Sequence, residues 1–103
     1  MRKPVAILML SCLAAVATPA SADEALMVKS NCLACHQIDK RKYGPTFKEV
    51  AAKYPDDSKA AAKLAKKIRA GGKGVWGEDV MPPQPQVSNA DALILAKYVL
   101  SLK

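Results

Sequence analysis

The sequence is poor in the residue types that build several common functional sites. Histidine occurs once in 103 residues, at position 36, which excludes any site that needs two imidazoles. Phenylalanine and tryptophan also occur once each, and aromatic residues are not interleaved with basic ones as nucleic-acid binding would favour. No stretch alternates polar and apolar residues in the manner of a strand. The chain therefore lacks the marks of a nucleic-acid-binding protein and of a β-sheet domain.

Long apolar runs are also absent. The longest, residues 5–16, has about a dozen residues, whereas a membrane-spanning helix needs roughly 20. Arg2 and Lys3 precede this run, and Ala20-Ser21-Ala22 places small residues where a signal peptidase cleaves. We interpret residues 1–22 as a cleaved export signal and residues 23–103 as one domain. A membrane anchor is the weaker alternative.

Cleavage after Ala22 would leave 81 of the 103 residues and remove Cys12, so that only Cys32 and Cys35 remain. Arg2 and Lys3 would also be lost from the 16 basic residues, which leaves 14 against nine acidic ones and a net charge of +5. A domain of this size builds only a thin core from side chains alone, so a bound group is expected to fill part of it. A lipoprotein is disfavoured, because Cys12 follows a poor match to a lipid-attachment sequence.

Every segment with a clear period is predicted to be helical, which makes this an all-α domain. Helices are expected over residues 23–31 and 46–54, from Asp56 or Asp57 as the cap to about Ala70, and from Ser88 to the C-terminus. Thr46 and Glu49 have the spacing of a capping box. The residues predicted to face the core are Leu26, Met27, Phe47, Val50, Ala51, Ala61, Leu64, Ala65, Ile68, Leu93, Ala96, Val99 and Leu100.

Residues 71–87 separate the third and fourth predicted helices and are rich in glycine and proline. A loop of this length is uncommon in so small a domain and usually has a function or is disordered. Trp76 and Met81 lie within it, which argues against simple disorder. We expect this loop to contribute to the functional site.

Residues 32–36 read Cys-Leu-Ala-Cys-His and bring both remaining cysteines together with the sole histidine. Such a cluster serves three kinds of site: a zinc site, a redox disulfide or a covalent haem attachment. Zinc requires three or four protein ligands, and no second Cys/His pair completes the set. A thioredoxin-like cysteine pair lies in a βαβ setting, which the lack of strand patterns disfavours.

Cys-x-x-Cys-His is the attachment signature of c-type haem. Two thiols three positions apart on a helical turn can each add to one vinyl group of the porphyrin, and His36 then offers an imidazole to the iron. This attachment is made outside the cytoplasm, in agreement with an export signal. We therefore predict one haem c, bound covalently through Cys32 and Cys35.

A single histidine leaves the sixth coordination position of the iron open. Water, lysine or methionine could fill it, or it could stay empty for a gas. Met1 and Met9 leave with the export signal, and Met27 lies too close to the attachment motif to reach the opposite face easily. Met81 lies 45 residues beyond His36, and three prolines within the next four positions stiffen its backbone. We predict Met81 as the sixth ligand; otherwise its side chain fills a gap in the core.

Five segments carry a resemblance to a known family: CLACH (32–36), YGPTFKEVAAKY (43–54), LAKKIRAGGKGVWG (64–77), MPP (81–83) and LAKYVLSLK (95–103). Together they span nearly the whole predicted domain, and they resemble the short bacterial class I cytochromes c of the cytochrome c-551 type. The resemblance implies a cytochrome c fold of four to five short helices wrapped around one haem, with the terminal helices packed together. It also implies that His36 is the proximal ligand and Met81 the distal ligand.

The resemblance implies three further site residues. The Pro45 carbonyl would accept a hydrogen bond from the ligand histidine, the Trp76 indole N–H would meet a haem propionate, and Lys67 would lie near the propionates. Alternatively, Pro45 is only a helix-entry proline, Trp76 is an ordinary core residue and Lys67 is a solvated lysine. Gln84 departs from the family, because relatives often have asparagine there, and this puts the fine geometry of the Met81 sulfur in doubt.

His/Met ligation closes both axial positions and suits electron transfer. We expect a soluble, monomeric periplasmic carrier, not an enzyme, that shuttles electrons between a membrane respiratory complex and a terminal reductase or oxidase. Its positive charge suits redox partners with acidic docking surfaces, such as a nitrite reductase, a terminal oxidase or a quinol-oxidising complex. Neither nucleic acid nor stable membrane insertion is expected. The alternative is a haem-based gas-binding or sensor protein with a labile sixth ligand; a peroxidase is disfavoured, since no distal His or Arg can be placed over the iron.

Overall fold

The computed structural model describes residues 20–103, with only the backbone for residues 20–22, and also Arg2, Pro4, Ser11 and Cys12. Most of the predicted export signal therefore lies outside the described residues. In the described part, four α-helices follow one another: α1 (Ala20–Lys29), α2 (Phe47–Lys53), α3 (Ala60–Ala70) and α4 (Asn89–Ser101). A 3₁₀ turn, Cys32–Ala34, follows α1. None of the described helices is long and apolar enough to cross a membrane.

The predicted all-α fold is confirmed, and residues 20–103 contain no strand beyond one isolated bridge between Gly72 and Met81. The first helix begins three residues earlier than predicted, at Ala20 rather than Asp23. The prediction took the acidic residue as the helix start, but Ala20 and Ala22 are strong helix formers and extend the helix toward the N-terminus.

Side-chain caps fix the starts of α2 and α4 as predicted. At α2, the Glu49 N–H donates to Thr46 Oγ1 (3.0 Å) and the Thr46 N–H donates to Glu49 Oε2 (2.9 Å), which completes the capping box. At α4, the Asp91 N–H donates to Ser88 Oγ (3.1 Å). Each bond satisfies one of the N–H groups that a helix leaves without a partner in its first turn.

The predicted cap of α3 is wrong. Lys59 occupies the N-cap position and makes no side-chain capping bond. Asp57 instead accepts the Lys59 N–H at 2.9 Å and pairs with the Lys63 ammonium at 3.2 Å. These bonds hold the pKa of Asp57 below its ordinary value, and the bond to the Lys59 N–H has the largest effect. Because the carboxylate closes a turn with the residue two positions on, the helix begins after that turn.

The buried face of α4 forms the centre of the core and packs against α1, α2 and α3. Its buried residues are Ala92, Leu95, Ala96, Tyr98 and Val99. Ala96 and Val99 are buried as predicted, whereas Leu93 was predicted to face the core but is exposed. The buried set follows i, i+3, i+4 and i+7 from Ala92, which leaves Leu93 and Ile94 outside the stripe.

The apolar face of α3 is less buried than that of α4. Leu64, Ala65 and Ile68 pack against the core as predicted but are only half-buried. Leu64 and Ile68 also line the large cavity described below. The helix therefore packs against α4 with part of its surface and borders this cavity with another part.

A hydrogen bond links the two ends of the domain. The hydroxyl of buried Tyr98, on α4, donates to Glu24 Oε1, on α1, at 3.0 Å. Burial first, and then this bond to a carboxylate, raise the pKa of Tyr98 above its ordinary value. The folded state thus favours the neutral phenol. The stabilisation from this contact is fully present below the pKa that Tyr98 has in the unfolded state, and it is lost as the pH rises through the pKa that Tyr98 has in the folded state.

We predict that Tyr98→Phe lowers the free energy of unfolding by about 1 kcal/mol at neutral pH, the usual net value of one hydrogen bond. The difference from wild type should shrink as the pH rises above about 10, the ordinary pKa of tyrosine. Denaturant titrations of both proteins across this range provide the measurement. Tyr43→Phe, at an exposed tyrosine, is the control and should follow wild type; a Tyr98→Phe deficit independent of pH contradicts the assignment.

Candidate cofactor site

A large cavity lies where the helices would otherwise meet. Its volume is about 1360 Å³, counting the part open to solvent, and its wall is mainly apolar. The apolar residues of the wall include Met27, Phe47, Val50, Leu64, Ile68, Val87, Leu95 and Val99. All seven site residues predicted from the sequence also line it: Cys32, Cys35, His36, Pro45, Lys67, Trp76 and Met81.

A tight turn presents the two cysteines to the cavity. Asn31 begins it in the left-handed region (φ 63°), which asparagine tolerates better than most residues. The N–H groups of Cys35 and His36 both donate to the Cys32 carbonyl, at 3.3 and 3.0 Å. Both cysteine side chains lie at the cavity wall. The turn thus brings both thiols and the imidazole to one side of the space.

The environment of Cys32 does not suit a redox disulfide. Desolvation by burial raises the pKa of the Cys32 thiol, against a smaller opposing effect of a backbone hydrogen bond. Reactive Cys-x-x-Cys pairs instead have a thiol with a lowered pKa, since the thiolate is the nucleophile. In the described part of the chain, no group of three or more His, Cys, Asp or Glu side chains is placed to hold a metal ion. The two alternatives to haem therefore gain no support.

His36 is held on three sides. Its Nδ1 lies 2.8 Å from the carbonyl oxygen of Pro45, the contact that the resemblance implies. Because a carbonyl only accepts, Nδ1 carries the proton and Nε2 keeps its lone pair for a metal. The ring stacks on Phe47 with centroids 5.2 Å apart and planes inclined by 24°. Gly44 closes a third side, since a β-carbon there would lie 2.5 Å from His36 Cε1.

Gly44 and Phe47 were not predicted as site residues. Phe47 had been assigned only to the apolar face of its helix, which is correct but incomplete. Gly44 has one signal in the sequence, because it lies directly before the proline whose carbonyl binds the histidine. Its role depends on a contact across eight positions of the chain, which spacing alone does not reveal.

The backbone of Met81 is paired with the end of α3. Its N–H donates to the Gly72 carbonyl at 2.8 Å, and its carbonyl accepts the Gly72 N–H at 3.0 Å. Gly71 has φ +71°, and a β-carbon there would overlap the Met81 carbonyl oxygen. Glycine is thus required twice over at position 71, by its backbone conformation and by the close approach of Met81. The thioether belongs to a residue that is half-buried at the cavity wall.

Lys67 and Trp76 both line the cavity. Lys67 folds across Gly72, where a β-carbon would lie 3.0 Å from its Nζ. Trp76 is half-buried, packs against the core and lies beneath the Lys53 ammonium, 5.2 Å from the ring centroid. Arg41, Lys73 and Asp79 also line the cavity, so cations predominate among its charged residues.

Gln84 lines the cavity, but its amide bonds within its own loop. Its Nε2 donates to the Pro82 carbonyl at 3.4 Å, and its Oε1 accepts from Gln86 Nε2 at 2.6 Å. The Gln84 backbone N–H donates to the Ile68 carbonyl at 3.1 Å. The side chain therefore stiffens the turn that follows Met81.

These groups fit a haem. The apolar wall suits a flat porphyrin, the two thiols suit its vinyl groups, and the cationic residues suit its carboxylates. His36 offers a free Nε2 and Met81 a thioether at the same cavity.

Comparison with known proteins agrees with this fit. The cytochrome c family model matches residues 22–103. Cytochrome c-552 of Nitrosomonas europaea is 51% identical over 88 residues, 85% of each chain. Cytochrome c-551 of Azotobacter vinelandii is 50% identical over 80 residues, 78% of this chain and 96% of that one. The crystal structure of wild-type Nitrosomonas europaea cytochrome c552 superposes with a TM-score of 0.76 at 50% identity, covering 78% of this chain and 99% of that one.

We predict that Gly44→Ala displaces the His36 ring and changes the absorption spectrum and reduction potential of the haem-loaded protein. The added methyl should also destabilise the fold by about 2 kcal/mol, as overpacking does. Gly74→Ala is the matched control, because Gly74 has φ +93° but nothing within 4 Å of an added β-carbon. It should lose stability without a spectral change. A wild-type spectrum and potential in Gly44→Ala contradict the proposed contact.

Proposed function

The chain belongs to the cytochrome c family, and from that premise we propose that it carries single electrons in the periplasm at a haem with His36 and Met81 as axial ligands. The observation on which the proposal rests is the convergence of four groups on one apolar cavity. These are the two thiols of residues 32 and 35, the Nε2 side of His36, and Met81. They lie on two segments far apart in sequence, so their meeting is a property of the fold.

Relatives at about 50% identity are cytochromes c-551 and c-552, so the chain is a small class I c-type cytochrome with one covalently attached haem c. When bound, the haem supplies an iron that exchanges one electron between Fe(II) and Fe(III). Cys32 and Cys35 are the proposed attachment points, because they occupy the two cysteine positions of the attachment signature. Their turn fixes the spacing of the two sulfur atoms before attachment.

His36 and Met81 have distinct proposed roles as ligands. The Pro45 carbonyl holds the Nδ1 proton of His36, which fixes the ring and makes Nε2 a better donor. Met81 offers a weaker donor, which raises the potential relative to ligands that donate more strongly. The apolar wall, with Phe47 against the histidine ring, keeps water from the metal and so also shapes its potential.

Lys67 and Trp76 are the proposed contacts of the haem propionates. Lys67 presents a cation at the cavity wall, and a Lys ammonium forms strong hydrogen bonds with carboxylates. Trp76 has one N–H to donate and is held by core packing and by Lys53. Both proposals derive from the family resemblance and agree with the position of the residues on the wall.

The alternative of a gas-binding or sensor protein requires a sixth ligand that leaves readily. Gln84 was its only support in the sequence. Both backbone groups of Met81 are hydrogen-bonded to Gly72, and Gln84 bonds within its own turn. These contacts favour a firmly held methionine and hence an electron carrier.

We propose that the electron partners have acidic docking surfaces, such as those of a nitrite reductase, a terminal oxidase or a quinol-oxidising complex. The domain after cleavage would have 14 basic and nine acidic residues, a net charge of +5. Exposed Arg41 and Lys73 lie at the cavity wall itself. Such charges steer weak, fast encounters, and steering adds more to the association rate than to affinity. The periplasmic location rests on the export signal predicted for residues 1–22.

Replacement of Met81 tests the proposed ligand set. Met81→Leu should abolish the weak red-region charge-transfer band of Met–iron ligation and lower the reduction potential. The reduced protein should bind carbon monoxide at least about tenfold faster, because no ligand has to leave the iron first. Met27→Leu, the same change at a second methionine of the cavity wall, is the matched control and should keep the band and the slow binding of carbon monoxide. Wild-type protein that lacks the band, or that binds carbon monoxide rapidly, contradicts His/Met ligation and favours the gas-binding alternative.

Salt dependence tests the proposed partners. The bimolecular rate of electron transfer to an acidic partner should fall as ionic strength rises, because surface charges are screened over about 8 Å at 0.15 M. Lys73→Glu, at the cavity wall, should slow the reaction more than Lys97→Glu, an exposed residue of α4 outside the wall. Stopped-flow measurement at several salt concentrations gives both rates. Equal effects of the two charge reversals, or a rate insensitive to salt, contradict steering toward this face.

A further inference from the structure

The segment 81–87 has few backbone groups with which to hold its own shape. Residues 82, 83 and 85 are prolines and have no N–H to donate. Of the remaining donors, the Val87 N–H bonds to the Gln84 carbonyl at 3.1 Å, inside the segment. The segment that carries the proposed sixth ligand therefore depends on contacts from outside.

The C-terminal half of α3 and the glycines after it supply those contacts. Gly72 holds the Met81 end through the two backbone bonds described above, and the Ile68 carbonyl accepts the Gln84 N–H at 3.1 Å. At the far end, the Arg69 Nε–H donates to the Val87 carbonyl at 2.9 Å. In residues 20–103, this is the only bond from a side chain outside the segment to its backbone.

Arg69 also reaches the start of α4. Its Nη1–H donates to Asn89 Oδ1 at 2.7 Å, so one guanidinium bridges the end of the segment and the first residue of the helix. Val87 itself is buried and lines the cavity. Both acceptors are neutral oxygens. The contact therefore depends on the fixed fork of N–H groups that arginine has and lysine lacks, rather than on charge pairing.

We propose that Arg69 is a positioning residue for Met81: it clamps the far end of segment 81–87 and thereby slows the departure of the sixth ligand. The inference rests on the proposed ligation by Met81. For the thioether to leave the iron, the segment must move away from α3. Gly72 restrains that motion at one end, the Ile68 carbonyl in the middle and Arg69 at the other end, and three prolines make the segment stiff. A stiff segment released at one end pivots as a unit.

The rate at which cyanide binds the oxidised, haem-loaded protein tests this inference, because cyanide enters only after the sixth ligand has left. Arg69→Ala should bind cyanide at least about tenfold faster than wild type, the factor that corresponds to one lost hydrogen bond to a charged group. Arg69→Lys keeps the positive charge but loses the fork of N–H groups. Its cyanide-binding rate should lie between those of wild type and Arg69→Ala. Lys66→Ala removes an equal charge from the same helix and should retain the wild-type rate.

Asn89→Ala separates positioning from ordinary helix packing. It removes the Asn89 contact and leaves the bond to Val87, so its cyanide rate should stay near wild type even if its melting temperature falls. If Arg69 only joined α3 to α4, then Arg69→Ala and Asn89→Ala would both lose stability without a change in rate. A wild-type cyanide rate in Arg69→Ala therefore overturns the inference. If Arg69→Ala does not take up haem, the cyanide-binding rate of Arg69→Lys is the test instead: a rate above wild type supports the inference, and the wild-type rate overturns it.

The charge-transfer band distinguishes failure of this inference from failure of the proposed ligand set. A band present in wild type and lost in Met81→Leu establishes the ligand, whatever Arg69 does. If that band is present and the Arg69 variants bind cyanide at the wild-type rate, only the role of Arg69 is wrong. If wild type has no such band, the ligation is wrong and the inference is overturned with it.

Discussion

The helices of this domain enclose an apolar cavity at the place where a larger protein would have a solid core. The buried face of α4 forms the centre of the core, whereas Leu64 and Ile68 of α3 stay half-buried because they line the cavity. A chain of this length gains too little from side-chain burial alone. The haem that the family carries therefore completes the core as well as the redox site, and the packing of each helix depends on it.

The site is divided between two segments that are fixed in different ways. The tight turn at Cys32, with the Pro45 carbonyl and Gly44 around His36, is held by bonds within a short stretch of chain. Segment 81–87 has prolines in place of donors and takes its position from α3. One of the two proposed ligands thus depends on local structure, and the other depends on tertiary contacts between two helices and a loop.

Local patterns in the sequence predicted the features that local interactions decide. The capping box of α2, the Ser88 cap and the Cys-x-x-Cys-His motif each lie within five residues and were read correctly. The cap of α3 was wrong because Asp57 had a competing turn two residues on, and the prediction of Leu93 as a core residue of α4 was wrong because Leu93 is as apolar as the residues that are buried. The contacts of Gly44 with His36 and of Arg69 with Val87 join residues that no spacing relates.

The position of the two thiols has a consequence for local unfolding. They lie within one short turn, whereas most of the cavity wall belongs to α2, α3, α4 and the loop of residues 71–87. A covalently held haem stays with that turn when the other walls open, so it cannot diffuse away. Reclosing is then unimolecular, and the stability of the domain does not depend on the concentration of free cofactor, as that of a protein with a dissociable ligand does. The linkage thus allows so small a domain to open transiently without losing its function.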